Sequence, residues 1–321
     1  MVKIVIDTLG ADMGLEPIVT GVAQALDSGM AFFPVLVGPA DKCKKLLKDI
    51  DPARYELVDA KSFIRNQDPP TAIFGEGNPN SMAVAYDRLK NDCDAMLSAG
   101  NTGALLVGSI CRLGLLPGLK FPALASALPC SGENLLCLVD CGANVECTAD
   151  DLARFARMGH VFSKSYVGIA SPRIGLMSVG REKQKGTALT REAYEKIDAL
   201  GLNFVGNVEG SDLVSDYADV IVTDGFSGNL LLKCAESVGK AAMEIAAKCG
   251  AGEAVVEKIR TALFETFDFN SRGAATFLGP KKTVAKMHGA ANTDTVVASI
   301  AQILRLEKSR FSEAMAEEMS K

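Results

Sequence analysis

The stretch from Asp94 to Cys111, DAMLSAGNTGALLVGSIC, decides the fold that we predict for this chain. Its first part is a short apolar run, which is typical of a parallel strand covered on both faces. Gly100 then allows a sharp turn, and Asn101 can cap the helix that follows. Unpaired N–H groups in the first turn of such a helix attract a phosphate or a carboxylate. The stretch therefore predicts a buried strand, a glycine turn and a helix that begins at an anion site.

The same order of strand and helix recurs along most of the 321 residues. This alternation favours a doubly wound, mostly parallel sheet with helices on both faces, an α/β/α sandwich. We expect a single α/β domain over residues 1–321. Apolar residues at spacings of three and four, with a break at Cys249 to Gly252, predict a protruding helical hairpin at about residues 230–268. Packing on its own domain, a subunit interface and contact with a membrane surface remain alternatives for this hairpin.

Composition and charge exclude several classes of protein and partner. The net charge is −5 and there is no basic stripe, so we expect no nucleic acid partner. No apolar run reaches the roughly 18 residues that a membrane span needs. The N-terminal sequence enters a strand directly and is unlike a signal peptide, so we expect a cytoplasmic protein. The two histidines, His160 and His288, are far apart in the sequence, so we expect no metal site.

The nine cysteines form no CxxC pair, and many lie in apolar runs, as Cys137 and Cys234 do. We interpret them as buried, reduced thiols. A catalytic cysteine is the alternative, and Cys141 and Cys147 are the best placed for that role.

Polar residues follow the predicted strands at their carboxyl ends, where open α/β sheets bind ligands. They are Asp7, Asn101, Asp140 with Asn144, Lys185, Asn207 with Glu209, and Asp224 with Asn229. The GxGxxG, P-loop and GxSxG patterns are missing. The remaining residues suit an anion and a positioned carbonyl without a covalent nucleophile, as in group transfer to or from phosphate. Capping is the structural alternative for Asn101, Asp140 and Asp224, and a solvated charge run is the alternative for Lys185.

Short motifs in a fixed order resemble the PlsX-type phosphate acyltransferases of bacterial phospholipid synthesis, over nearly the whole chain. They are SAGNTGA (98–104), LVDCGANVEC (138–147) with FARMG (155–159), KGTALT (185–190), FVGNVEG (204–210), DGFSGN (224–229), RGAATFLG (272–279) and HGAAN (288–292). The resemblance implies transfer of a fatty acyl group from acyl carrier protein to inorganic phosphate, and we expect no cofactor. It also implies a fold related to phosphotransacetylases and isocitrate dehydrogenases. A homodimer with the hairpin at its interface and peripheral membrane association are implied as well.

Our hypothesis assigns roles to these residues. Phosphate binds at Asn101, Thr102 and Gly103, with Lys185 as its charge partner. Asn207 and Asn229 polarise the thioester carbonyl, which phosphate attacks directly. Asp224 is grouped with the catalytic residues, and the remaining substrate-binding candidates are Asp7, Asp140, Asn144, Glu209 and His288.

The chain departs from the usual family pattern at four positions. Met13 replaces a histidine, Phe121 replaces an arginine, and Arg181 and Thr187 replace the Glu and Asn of GEExxKGN. Because of these changes, the sequence does not decide which acyl donor is used or which residues form the phosphate pocket. One alternative is a phosphotransacylase that makes a short acyl phosphate through a cysteine, like the PlsX-like subunit of the glycine reductase complex. Another is a non-catalytic module that binds an acyl chain or a carrier protein.

Overall fold

The structure is a computed structural model that describes residues 1–75, 79–130, 135–248, 252, 254–259 and 273–321. Its strands are β1 (Val2–Asp7), β2 (Phe32–Gly38), β3 (Glu56–Asp59), β4 (Ala95–Ser98), β5 (Ala123–Pro129), β6 (Leu135–Val139), β7 (Ile174–Met177), β8 (Phe204–Val208), β9 (Val220–Val222), β10 (Ala275–Leu278) and β11 (Thr283–Lys286). Its helices are α1 (Glu16–Asp27), α2 (Ala40–Leu46), α3 (Ser81–Asn91), α4 (Thr102–Gly108), α5 (Ala149–Phe162), α6 (Ala188–Asp198), α7 (Gly225–Lys248), α8 (Thr293–Lys308) and α9 (Phe311–Met319).

The chain divides into two compact units. Unit 1 is Met1–Pro122 with Gly273–Lys321, and unit 2 is Ala123–Arg272. The strand order is β3-β2-β1-β4-β11-β10 in unit 1 and β5-β6-β9-β7-β8 in unit 2. Only the pairs β10–β11 and β5–β6 are antiparallel among these neighbours. The predicted mostly parallel, doubly wound α/β fold is confirmed, whereas the single domain over residues 1–321 stays a prediction.

The core of unit 1 forms because helices cover the apolar residues of β1 and β4. Ile4, Ile6 and Leu97 are fully buried. Helices α1 and α8 approach closely at Gly21, where an added Cβ would lie 2.5 Å from the Val296 Cβ. A larger residue at position 21 would force these two helices apart. The strand, turn and helix predicted for residues 94–111 are present as β4, the turn after it and α4.

Unit 2 has a comparable arrangement around β6 and β9. Its helix α5 begins at a capping box in which Thr148 and Asp151 each accept a hydrogen bond from the backbone N–H of the other. At Gly159 on the same helix, an added Cβ would lie 2.5 Å from a Val220 methyl group. Glycine in the FARMG motif therefore lets α5 lie directly on β9.

The predicted hairpin at about residues 230–268 is described only in part. Its first arm belongs to α7, and residues 254–259 are also helical. The predicted break at Cys249 to Gly252 and the end of the second arm lie largely outside the described residues. Leu230, Val238 and Ile245 on α7 are exposed. No helix in the described part of the chain is both long and apolar enough to span a membrane.

Candidate active site

In unit 1, a chain of hydrogen bonds fixes the turn that follows β4. The Gly100 N–H donates to Ser98 Oγ (3.0 Å), and the Ser98 hydroxyl donates to Asp7 Oδ2 (2.9 Å). The strands β1 and β4 pair in parallel with Asp7 opposite Ser98, which brings the two side chains together. Burial raises the pKa of the Asp7 carboxyl to about 6, although hydrogen bonds from Ser98 and the Leu9 N–H lower it. Asp7 therefore supports the turn from inside, and its predicted contact with substrate stays a prediction.

The Asn101 side chain ties this turn to a neighbouring loop. Its Oδ1 accepts from the Ala104 N–H (2.9 Å) and so caps α4. Its Nδ2 lies within hydrogen-bonding distance of the carbonyl oxygens of residues 65, 66 and 68, at 3.1, 3.2 and 3.3 Å. The loop also reaches Gly103, where an added Cβ would lie 2.7 Å from Pro70 Cγ. Both polar atoms of the amide have partners within the protein, and phosphate binding at Asn101, Thr102 and Gly103 stays a prediction.

A lysine that the sequence analysis did not single out lies at the end of β11. The Lys286 ammonium donates to the Met287 carbonyl and lies 3.5 Å from the carbonyl oxygen of Ala99, at the start of the same turn. Two residues later, His288 Nδ1 accepts from the Ala290 N–H (3.1 Å). The sequence signal for Lys286 was a lysine at the end of a short apolar run, two residues before the HGAAN motif. Lys286 therefore places a cation beside the turn that contains Gly100.

In unit 2, Asp140 organises the loop that follows β6. Its Oδ1 accepts from the N–H groups of Leu124, Gly142 and Ala143, at 3.1, 3.0 and 3.0 Å. Its Oδ2 accepts from the backbone N–H and the side-chain amide of Asn144, both at 2.7 Å. Burial raises the pKa of this carboxyl, and these hydrogen bonds act in the opposite direction. Asp140 thus caps its own turn. This is the structural role that the sequence left open as the alternative to ligand binding.

The Asp140 loop lies directly on the first turn of α7. Asp224 caps this helix, because its carboxylate accepts from the N–H and the hydroxyl of Ser227, both at 2.8 Å. The Gly225 N–H donates to the Asn144 carbonyl (2.7 Å). At Gly228 an added Cβ would lie 1.9 Å from the Asp140 carbonyl oxygen. Glycine at this position lets the loop and the helix meet.

This contact places another predicted residue, Asn229, beside the same loop. The nearest atoms of its exposed side chain lie 3.6 Å from where a Cβ on Gly142 would stand. The structure therefore brings together four predicted residues in unit 2: Asp140, Asn144, Asp224 and Asn229.

The loop after β7 carries three cations with different partners. Arg181 forms an ion pair with Asp212 (2.7 Å) and stacks over Tyr217, and Lys183 pairs with Glu195 (2.9 Å). The exposed Lys185 ammonium has no ion-pair partner within the described ranges. The three cations therefore do not form a uniform solvated charge run. Of the three, only Lys185 has an ammonium that is not held in an ion pair by any residue that the structure describes and can bind an anion.

Asn207, at the end of β8, holds this loop in place. Its Nδ2 donates to the Glu182 carbonyl (2.9 Å). Its Oδ1 is buried and accepts no hydrogen bond from any part of the chain that the structure describes. The next candidate, Glu209, uses its N–H to donate to Asp212 Oδ2 (2.9 Å). Asn207 thereby connects β8 to the loop that carries Lys185.

A cavity of about 290 Å³ adjoins this loop within unit 2. Its lining includes Thr187 and Thr190 of the KGTALT motif and Asp224 and Ser227 of the DGFSGN motif. Ser178, which the sequence analysis did not single out, also lines it. Thr187 caps α6 by accepting from the Thr190 N–H (3.2 Å), so this departure from the family pattern has a structural role. Of the other departures, Met13 and Phe121 are exposed.

The cysteines near the candidate site are protonated at neutral pH. Burial raises the pKa of Cys141 well above its usual value and that of Cys147 to about 12. A thiol with such a pKa is a poor nucleophile. The general prediction of buried cysteines is wrong for Cys234 and Cys111, which are exposed. Cys234 lies on a face of α7 that the rest of the described chain does not cover.

Comparison with known proteins gives three results. A family model described as "Fatty acid synthesis protein" matches residues 2–314. A phosphate acyltransferase of Clostridioides difficile is 33% identical over 99% of this chain and 96% of its own length. One of Thermoanaerobacterium thermosaccharolyticum is 36% identical over 94% of this chain and 91% of its own length.

Solved structures support the fold. The crystal structure of a phosphotransacetylase from Streptococcus pyogenes matches with a TM-score of 0.65 at 17% identity, covering 100% of this chain and 94% of that one. At this level of identity the match supports the α/β fold, and it confirms the predicted relation to the phosphotransacetylase fold.

Proposed function

Because the chain belongs to the fatty acid synthesis protein family, we propose that it transfers a fatty acyl group from a thioester donor to inorganic phosphate, which yields an acyl phosphate. The names of its relatives support the reaction, since they are phosphate acyltransferases along nearly the full length of the chain. We propose acyl carrier protein as the donor, in line with the PlsX-type resemblance of the motifs. The acyl phosphate then serves phospholipid synthesis.

The observation that carries this proposal is the availability of Lys185. Of the three cations in the loop after β7, two are held in ion pairs by Asp212 and Glu195. Lys185 has no such partner in the described segments. An unpaired ammonium can bind the phosphate anion without first breaking an internal ion pair.

The proposed reaction needs no covalent enzyme intermediate. A phosphate oxygen forms a bond to the thioester carbonyl carbon, the carbon–sulfur bond breaks, and the thiol leaves with a proton. The raised pKa values of Cys141 and Cys147 support direct attack, because neither is a thiolate at neutral pH. This argues against the alternative in which a cysteine carries a short acyl group.

Within unit 2, we propose that Asn229 donates to the carbonyl oxygen of the thioester. Its exposed amide lies beside the Asp140 loop, in which the N–H groups of Gly142 and Ala143 already donate to Asp140. Asn207 positions the loop that carries Lys185 through its bond to Glu182. Within unit 1, the turn at Gly100 to Gly103 is proposed as a phosphate-binding element, supported by the nearby Lys286 ammonium.

A homodimer and peripheral membrane contact are proposed from the apolar face of α7. Leu230, Val238 and Ile245 are separated by eight and seven residues, which places them on one side of the helix. All three are exposed. Such a stripe suits a second subunit or a lipid surface.

Phosphate dependence and a matched pair of lysine variants test the reaction. Wild-type protein is incubated with acyl carrier protein thioesters, with and without phosphate, and thiol release is followed with a chromogenic reagent. We expect Lys185→Ala to raise the KM for phosphate about 10- to 100-fold, because a hydrogen bond to a charged group contributes about 1.5–3 kcal/mol. Lys183→Ala removes a nearby cation that is already paired, so its KM should stay within about twofold.

The outcomes separate the proposals. Wild-type protein that released no thiol in response to phosphate would contradict acyl transfer, and tight acyl binding alone would then favour the non-catalytic module. Equal effects of the two lysine substitutions would contradict the role of Lys185. Inactivation by thiol-blocking reagents, with protection by the acyl donor, would favour the cysteine route.

A further inference from the structure

The cavity in unit 2 has a buried floor and a more exposed outer wall. It lies at the carboxyl ends of β7 and β9, where Leu176 and Thr223 line it. Leu152 of α5 completes a floor whose three residues are all buried. Leu189, which is half-buried, and the exposed Val179 belong to the outer wall. The cavity therefore reaches from the surface of unit 2 into its core.

The polarity of the lining selects the kind of occupant. Aliphatic side chains from α5, α6 and β7 make up much of it. Asp224 is the one ionisable residue among the lining residues, and both oxygens of its carboxylate accept hydrogen bonds from Ser227. None of the described residues that line the cavity is a cation, so a phosphate or nucleotide would enter it without a compensating charge from them. An apolar chain would bury its surface there at no such cost.

One polar atom in the lining needs a partner. Ser178 Oγ is buried and has no hydrogen-bond partner in the described portion of the protein. It adjoins Gly186, where an added Cβ would lie 2.8 Å from this oxygen. A buried hydroxyl without a partner is unusual, and an acceptor oxygen on the occupant would satisfy it. An acyl group is an aliphatic chain that carries such an acceptor oxygen.

We propose that this cavity binds the acyl chain of the thioester substrate, with the Ser178 hydroxyl donating to the acyl oxygen. The inference rests on the proposed acyl transfer to phosphate and adds to it the place of the chain. A cavity of about 150 Å³ in another protein binds benzene, so 290 Å³ holds on the order of ten carbon atoms. Chains much shorter than this leave the floor unfilled.

A filling substitution in the outer wall tests the proposal. Leu189→Trp places a larger side chain in the cavity, whereas Leu200→Trp changes another half-buried leucine that does not line it. The measurement is kcat/KM with butyryl and dodecanoyl thioesters of acyl carrier protein. Each methylene group that is excluded from the cavity should lower kcat/KM about fourfold. We expect Leu189→Trp to lower kcat/KM about 50-fold or more for dodecanoyl and at most about twofold for butyryl, and Leu200→Trp to change neither more than about twofold.

Binding of dodecanamide, an uncharged chain with a carbonyl oxygen, is measured by calorimetry and gives a readout without turnover. We expect wild type and Leu200→Trp to bind it and Leu189→Trp to lose the binding. Equal binding by all three, or equal kinetic loss for both chain lengths, would overturn the proposal. If Leu189→Trp does not fold, Leu189→Ala is the second test. It enlarges the cavity, so the acyl chain with the highest kcat/KM should become longer. An unchanged chain-length preference would refute the proposal.

The two hypotheses fail separately. Absence of phosphate-dependent thiol release with every chain length would refute the reaction. Dodecanamide binding and its loss in Leu189→Trp would still report on the cavity. Conversely, a fully active enzyme whose chain preference ignores Leu189 would leave the reaction intact and overturn the assignment of the cavity.

Discussion

The buried Asp7 carboxyl should make the stability of unit 1 depend on pH, and Asp7→Asn should remove that dependence. Burial raises the pKa of Asp7 from 3.8 to about 6 in the folded protein. Such a shift corresponds to about 3 kcal/mol. The stabilisation is fully present below pH 3.8, where both states are protonated, and is lost as the pH rises through 6. Above that pH, folding must bury a carboxylate.

The asparagine variant cannot ionise and keeps one acceptor oxygen, which can serve either Ser98 or Leu9, whereas the two carboxylate oxygens of Asp7 serve both. We therefore expect the free energy of unfolding of Asp7→Asn, relative to wild type, to increase by about 2.5 kcal/mol between pH 4 and pH 8. Urea denaturation at a series of pH values measures this difference, and effects of other carboxylates cancel because both proteins contain them. Carboxyl NMR of labelled aspartate gives the titration of Asp7 directly.

A contrasting control is available at Asp92. Hydrogen bonds and charge from Arg88 lower the pKa of this carboxyl, with Lys3 adding to the effect. Its stabilisation is present above the unfolded pKa and is lost as the pH falls, so Asp92→Asn should change stability with the opposite pH dependence. Because the Asp92 side chain is partly exposed to solvent, which screens its charge, the size of its effect should be small. A difference between Asp7→Asn and wild type that stayed constant from pH 4 to pH 8 would refute the reasoning.

Two further substitutions test the turns of the candidate site. Gly228→Ala places a Cβ 1.9 Å from the Asp140 carbonyl oxygen, so we expect separation of the loop from α7 and a loss of activity and of about 1–3 kcal/mol in the free energy of unfolding. Gly252→Ala, in open space, is the matched control, and equal melting temperatures for the two variants would contradict the close contact. Asn101→Ala removes both the α4 cap and the contacts to residues 65–68, whereas Asn101→Asp keeps only the cap. We expect faster proteolysis of residues 65–68 in both variants and an additional loss of about 1 kcal/mol in Asn101→Ala; unchanged proteolysis in Asn101→Asp would exclude the clamp.

Much of the architecture could be predicted because a parallel strand covered on both faces appears in the sequence as a short run of apolar residues. The apolar run before Gly100 predicted β4, and Asn101 marked the start of α4. The position of Asp140 and Asp224 after their strands also placed them at carboxyl ends of a sheet. Local sequence was sufficient here because the interactions themselves are local, as in the capping of α7 by Asp224.

The roles of individual side chains depended on partners that are distant in sequence. Arg181 and Lys183 differ from Lys185 only because Asp212 and Glu195 lie next to them in space. Asp140 was predicted as a ligand-binding residue, yet its oxygens accept from its own loop and from Leu124. The cavity walls come from four separate segments, so no local pattern could reveal them. Spacing identifies a strand end, but the distribution of hydrogen bonds determines what a residue there can bind.

The route of the chain through unit 1 has a consequence for how the protein is made. Strand β11 pairs with β4, although 184 residues separate the end of β4 at Ser98 from the start of β11 at Thr283. During synthesis, the edge of β4 that pairs with β11 stays unpaired until nearly the whole polypeptide has left the ribosome. Residues of unit 2 emerge in the meantime and are free to fold first. An open strand edge is a template for wrong pairing, so the nascent chain is vulnerable to aggregation during this interval, and shortening the C-terminal segment would prolong it indefinitely.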